Sequence, residues 1–352
     1  MVSWIILSMA TSANGQKASS FVNLGVSYYQ LQKYEAAISQ FQSAAEIDPN
    51  YPNIFGLLGS SYLQNGQYEA AADAYQKQMA RTPNSGDLFY NLGLTYLKMQ
   101  KFDQAAEAFQ KTIDLDPDAV QAYRHLTQLF TRQGHFQDAE KALSHVIAEG
   151  ATWKDHYNLG VVLHRQARYQ EAIGKYQKAL TMQPGSSAEI HVALAKSYLA
   201  LKQMDAAVLH YQSATQIDPT NPEINYQLGC IYRSQNHLDE ALTEFRMALR
   251  QKRDHIEARI QVASLLFETG QIDAALDEYR RALVFSPQDI GSLLGIGQMF
   301  REKGDVEQAI EYLIKARAID PDHRGVRFQL ALCFELQGQL DQAQTEYIQA
   351  LR

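Results

Sequence analysis

Ten alanines recur along the chain at intervals close to 34 residues: Ala37, Ala71, Ala105, Ala139, Ala172, Ala207, Ala241, Ala275, Ala309 and Ala343. The length of 352 residues would otherwise suggest two or three unrelated domains. A fixed period of this size points instead to one supersecondary unit stacked on copies of itself. With the alanine at position 20, repeats begin at Ala18, Pro52, Gly86, Val120, Trp153, Ala188, Pro222, Ile256, Ile290 and Arg324; the fourth is one residue short and the fifth one long. Residues 1–17 precede the array and 18–352 form it.

The columns have a packing logic. A methyl at position 20 lets two helix backbones approach near the lower end of the usual 8–10 Å separation. Position 8 is small as well, with Gly25, Gly59, Gly93, Gly160, Gly229 and Gly297, then Ala195, Ala263 and Ala331; only Thr127 is larger. Positions 11 and 24 are large, as in Tyr28 with Phe41, Tyr96 with Phe109, and Tyr232 with Phe245. Small residues on one helix therefore face large ones on another, which is how interiors reach close packing.

Punctuation places two helices in each unit. Gly66, Gly134, Gly270, Gly304 and Gly338 fall where the first helix should end, a place that favours a left-handed residue. Pro49, Pro83, Pro117, Pro184, Pro219, Pro287 and Pro321 follow the second helix, because proline lacks the N–H needed to continue it.

These columns resemble the tetratricopeptide repeat family, whose signature is large–Leu–small–Tyr in the first helix and Ala–aromatic–Ala–Pro in the second. The resemblance covers Ala18 to Arg352. It implies an all-α, right-handed superhelical solenoid of about ten helix-turn-helix repeats, with first helices lining a concave groove and second helices outside. Ala151 and Arg253 replace the terminal proline in repeats four and seven, and Gln78, Thr112 and Val146 replace the alanine of position 27. These departures bear on local angles between repeats. The tenth repeat stops at position 29 with no polar capping helix, so Leu340, Ala343, Tyr347 and Leu351 are expected to leave a partly open apolar end suited to self-association, to a partner, or to a longer chain.

The resemblance also implies which side chains line the groove. At position 6 stand Asn23, Asn91, Asn158, Gln227, Gln261 and Gln329, six amides able to donate to and accept from the backbone of an extended peptide. They are similar to the asparagine ladder of the O-linked N-acetylglucosamine transferase repeats, interrupted at four positions by Leu57, His125, Ala193 and Gly295. Position 5 adds Tyr90, Tyr157, Tyr226 and Phe328 as candidate aromatic anchors. Asparagine and tyrosine are also ordinary in such repeats, so packing and solubility are the plainer reading of both columns.

Charge is more individual. Lys98, Arg124, Arg132, His164, Arg165 and Arg233 fall on groove positions of repeats three to seven, and Glu268, Glu302 and Glu335 on those of the later repeats. In a chain of net charge −7, this distribution suits a protein or peptide partner with an acidic segment. The same net charge offers no global basic field for nucleic acid. A carboxylate clamp for chaperone C-termini is incomplete: Arg124, Gln128 and Asn158 are followed by Glu189 and Ala193 where two cations are required.

Nothing in the sequence assembles catalysis. The ten histidines are scattered, no HExxH, GxxxxGK[ST] or strand-borne GxGxxG occurs, and Cys230 and Cys333 stand far apart. Cys230 reads as a small apolar filler, and His156 and His191 at position 4 as packing residues. No cofactor or metal is expected. The body of the chain has no apolar run near the ~20 residues that a membrane span needs. Residues Val2 to Ala10, followed by Thr11 and Ala13, resemble the apolar core and cleavage site of a truncated export signal without its basic start. The chain is exported or periplasmic on that reading and cytoplasmic otherwise.

Three functions fit: a non-catalytic protein- or peptide-binding scaffold, a structural subunit of an envelope assembly, or the substrate-recruiting or regulatory part of an enzyme such as a glycosyltransferase. The first needs only the groove.

Overall fold

The computed structural model describes residues 2–183 and 187–351, with side chains described from residue 14 onward. Two compact units divide the chain, residues 1–182 and 183–352. Unit 1 holds five helical hairpins: α1 (Val2–Gln30) with α2 (Tyr34–Ile47), α3 (Ile54–Gln64) with α4 (Tyr68–Met79), α5 (Gly86–Lys98) with α6 (Phe102–Leu115), α7 (Val120–Gln133) with α8 (Phe136–Gly150), and α9 (Trp153–Arg165) with α10 (Tyr169–Met182). Unit 2 holds five more: α11 (Ala188–Ala200) with α12 (Met204–Ile217), α13 (Pro222–Ser234) with α14 (Leu238–Gln251), α15 (Ile256–Glu268) with α16 (Ile272–Phe285), α17 (Ile290–Glu302) with α18 (Val306–Ile319), and α19 (Arg324–Leu336) with α20 (Leu340–Ala350). All regular structure among the described residues is helical. Within each unit a helix packs on its neighbours in sequence, and first helices also touch one repeat on, as α3 does α5 and α15 does α17. This is the all-α repeat architecture that the period implies.

The alanine column is buried throughout, from 0% exposure at Ala37 to 3% at Ala343. Position 8 explains its own composition: a Cβ added to Gly160 would lie 2.5 Å from the ring of Tyr176, and one added to Gly93 2.8 Å from that of Phe109. The ring at position 24 fills the space that the missing side chain leaves.

The turns are more uniform than the sequence. Every first helix ends in a left-handed residue at position 15. Five are the glycines already named, with φ from 75° to 82°; the others are Gln32, Gln100, Ala167, Lys202 and Asn236, at φ from 59° to 62°. The reason is a shared hydrogen bond back over the helix end, such as Lys33 N–H to the Tyr28 carbonyl and Lys101 N–H to that of Tyr96, both 2.9 Å. Tertiary packing holds this turn whether or not glycine supplies it.

The recurring Asp-Pro also has a local cause. The Asp48 carboxylate accepts from the Asn50 N–H at 3.0 Å, Asp116 from Asp118 at 3.2 Å, and Asp320 from Asp322 at 3.1 Å. The aspartate thus forms an Asx turn across the proline that stops the second helix. Pro184 lies outside the described residues, as does Met1 of the signal-like segment; the rest of that segment falls within α1.

Candidate partner-binding face

The first helices carry the residues that the sequence nominates, and their surroundings sort them. In unit 1, Asn23 and Lys98 stand exposed on α1 and α5. Tyr90 leans on Phe109, ring centroids 5.7 Å apart, and its hydroxyl lies 3.3 Å from His125 Nε2. Tyr157 lies against Tyr176 at 5.6 Å, and His164 meets Tyr169 edge-on at 5.0 Å.

The arginines divide sharply. Arg124 donates from Nε to Asp155 Oδ1 at 2.9 Å and from a terminal nitrogen to Oδ2 at 2.8 Å, a bidentate pair in which the carboxylate side chain is only 2% exposed. The same carboxylate accepts from the Thr152 N–H and hydroxyl, capping α9. Burial pushes the Asp155 carboxyl up, but the hydrogen bonds from Arg124 and Thr152 outweigh it and hold the group below its ordinary value. Arg124 is therefore spent inside the protein. Arg132 and Arg165 are both exposed and make no ion pair with a carboxylate of the described residues. The Arg132 guanidinium rests 4.1 Å over the Phe102 ring, which orients it without neutralising it.

Arg132, Asn158 and Arg165 come together. With Thr127, Gln128 and Val161 they line a cleft of about 670 Å³ between α7 and α9. Tyr90 and Asn91 line a second cleft, of about 770 Å³, together with Ser60, Tyr75 and Gln78. Both lie within unit 1.

In unit 2 most of the nominated residues are engaged by neighbouring side chains. The Gln227 amide donates to Glu223 Oε1 at 2.6 Å, and Arg233 donates to both Gln261 and Glu268. Tyr226 lies 5.8 Å from Phe245 and 5.0 Å from His255. Gln329 is half-buried, and its Oε1 has no hydrogen-bond partner. The expected central positive charge is thus carried by Lys98, Arg132 and Arg165, with Arg124 and Arg233 neutralised in place.

Burial pushes both Cys230 and Cys333 up, away from the thiolate form. Among the described residues no group of three or more His, Cys, Asp or Glu side chains is placed to hold a metal ion, and no helix is long and apolar enough to cross a membrane.

Sequence reasoning missed two features of this face. Asp155 was readable as the third residue after Thr152, the spacing of a capping box. The second cleft was readable as Gly56 at position 5, where other repeats carry a side chain.

Comparison with known proteins agrees with the repeat architecture. Family models described as TPR repeat match residues 25–66 and 59–100, and models described as tetratricopeptide repeat match 86–119, 154–220, 226–290 and 300–352. Among solved structures, a tetratricopeptide repeat protein from Parabacteroides merdae is similar at a TM-score of 0.51 and 12% identity, covering 71% of this chain and 99% of that one. YrrB, described as a TPR protein with an unusual peptide-binding site, aligns at 0.46 and 20% identity over 53% of this chain and 97% of its own. Yeast Tom70 aligns at 0.45 and 16% identity over 95% of this chain and 91% of its own. No curated protein matches the chain. Repeat matches spread along both units, on a fold of stacked helical hairpins, make this chain a member of the tetratricopeptide repeat family.

Proposed function

We propose that the protein is a non-catalytic scaffold that holds an extended segment of a partner protein on the first-helix face of unit 1, with an acidic stretch of that segment at Arg132 and Arg165. The observation that carries this reading is the pairing of two exposed arginines, neither matched by a carboxylate, on one cleft beside the Asn158 amide. An arginine without an internal partner keeps its donors available for a carboxylate, and an adjacent amide can engage the peptide backbone. Arg124 and Arg233 serve as internal controls, since each is already paired with a carboxylate.

The test uses a fluorescein-labelled hexaglutamate peptide and a neutral peptide of equal length, titrated against the full chain by anisotropy. Replacing Arg132 and Arg165 together by alanine should weaken the acidic peptide by about tenfold or more, the scale of losing charge-assisted hydrogen bonds. Salt should weaken wild-type binding as well. Equal affinity for the two peptides, or no loss in the double variant, would remove the proposed site.

A further inference from the structure

Each repeat position can be compared with its equivalents, and position 5 has a consistent use. In four repeats an aromatic residue there leans on the aromatic ring at position 24 of the same hairpin: Tyr90 on Phe109, Tyr157 on Tyr176, Tyr226 on Phe245, and Phe328 on Tyr347. Their centroids lie 5.7, 5.6, 5.8 and 5.8 Å apart. Five further repeats carry Val22, Arg124, Val192, Ile260 or Leu294 at that position. Repeat two keeps its position-24 ring, the fully buried Tyr75, but its position 5 is Gly56.

The place of the missing side chain belongs to the cleft of about 770 Å³ that Gly56, Ser60, Tyr75 and Asn91 line. The carboxamide of Asn53 takes that place: a Cβ built on Gly56 would sit 2.1 Å from Asn53 Oδ1. Asn53 is exposed, has a left-handed φ of 55°, and makes no side-chain hydrogen bond to the start of α3. No capping hydrogen bond therefore holds its amide in that place.

Two polar groups specify what fits better. Gln78 stands where seven repeats have alanine; it is 3% exposed, lines the same cleft, and its Oε1 has no hydrogen-bond partner. A buried acceptor left unpaired is costly, so a donor that reaches it is favoured. The second group follows from the repeat. The Tyr90 hydroxyl lies 3.3 Å from His125, which is position 6 of the next hairpin. For a ring seated in repeat two, the corresponding residue is Asn91, already in the cleft wall.

We propose that this cleft receives a tyrosine side chain of the bound partner, its ring taking the place that Tyr90, Tyr157 and Tyr226 take in their own repeats and its hydroxyl meeting the amides of Asn91 and Gln78. The proposal rests on the reading of unit 1 as a peptide-holding face and names a second element of the partner's chemistry. An aromatic ring in such a seat gains stacking as well as burial, and the hydroxyl separates tyrosine from phenylalanine.

The probes are N-acetyl-tyrosinamide, N-acetyl-phenylalaninamide and N-acetyl-leucinamide, titrated against the full chain by ligand-detected saturation-transfer NMR. Tyrosinamide should bind at least about tenfold more tightly than the other two, the scale of one buried hydrogen bond. Asn53→Gly with Gly56→Tyr supplies the ring from within and should abolish that binding. Gln78→Ala, which installs the residue that seven other repeats carry and so tests the site if the first variant does not fold, should narrow the preference for tyrosinamide over phenylalaninamide. Equal binding of all three probes to the wild type overturns the proposal, as does unchanged tyrosinamide binding in the variants. Hexaglutamate separates the two readings: Gln78→Ala should bind it as the wild type does, and the Arg132 and Arg165 double variant should lose it while keeping tyrosinamide.

Discussion

Replacing Arg124 by alanine should destabilise unit 1 by about 3 kcal/mol and leave the binding of an acidic peptide within about twofold of wild type. The magnitude follows from the pair's surroundings. Breaking a buried ion pair costs about 3–5 kcal/mol, because the surviving charge is left without its partner in a poorly solvated place. Here the survivor is Asp155, whose side chain is 2% exposed. It would keep the two hydrogen bonds from Thr152, at 2.8 and 2.7 Å, which puts the cost at the low end of that range. Replacing Asp155 by alanine instead leaves Arg124, which is 25% exposed and can hydrate, but it removes the cap of α9, worth about 1 kcal/mol. Arg124→Met with Asp155→Leu removes both charges and should recover part of the loss. Because a repeat array need not unfold in one step, the readout is hydrogen exchange along α7 to α10 beside the melting curve. Acid supplies a second arm. Asp155 is held below its ordinary pKa in the fold, so its contribution is complete above the unfolded value near pH 4 and is lost as pH falls through the folded one. Wild-type protection in Arg124→Ala, or a double variant weaker than both single ones, would refute the reasoning.

Three further outcomes follow from the repeat geometry. Ala167 holds φ 60°, a conformation that glycine adopts without penalty, so Ala167→Gly should raise the melting temperature by an amount corresponding to about 0.5–1 kcal/mol; a decrease would mean that the methyl packs usefully. Ala105→Leu places a larger side chain at a fully buried contact and should cost about 3 kcal/mol, measured by denaturant unfolding, with no change as the contrary result. His191 and His210 meet through their Nδ1 atoms at 3.1 Å, and burial lowers both, aided at His210 by its neighbour. The fold favours their neutral forms, so this contribution is complete above the unfolded value near pH 6.5 and is lost as pH falls through the folded ones. Unit 2 should therefore melt at a lower temperature at pH 5 than at pH 7, and His191→Gln should flatten that dependence; identical profiles would exclude the pair as its source.

The fold was legible because close packing imposes the same demand ten times. Alanine at position 20 and glycine or alanine at position 8 record where backbones approach and where a ring must fit, and such steric demands are visible in a single chain. The turn at position 15 was only half legible. A left-handed residue is a property of backbone and packing, and Gln32, Gln100, Ala167, Lys202 and Asn236 adopt it without advertising it. Asp-Pro was read as a stop through its proline, while its aspartate proved to organise the turn that follows.

The binding face was less legible, because a position on a helix gives direction but not company. Arg124, Arg132, Arg165 and Arg233 look equivalent in sequence. What separates them is whether a carboxylate from a neighbouring helix arrives: Asp155 reaches Arg124 from the next repeat, and Glu268 reaches Arg233 in the same way. No spacing rule within one helix reports such an encounter, since the partners lie 31 and 35 residues apart. The converse holds at Gly56. Its absence of a side chain is plain in sequence, yet it becomes informative only beside four repeats in which an aromatic ring occupies that place. In a repeat protein, specificity is therefore better sought where one unit fails to satisfy itself than where all units agree. By that criterion the two unmatched arginines and the place over Tyr75 that no aromatic ring takes are stronger candidates for the proposed binding site than the more regular amide column.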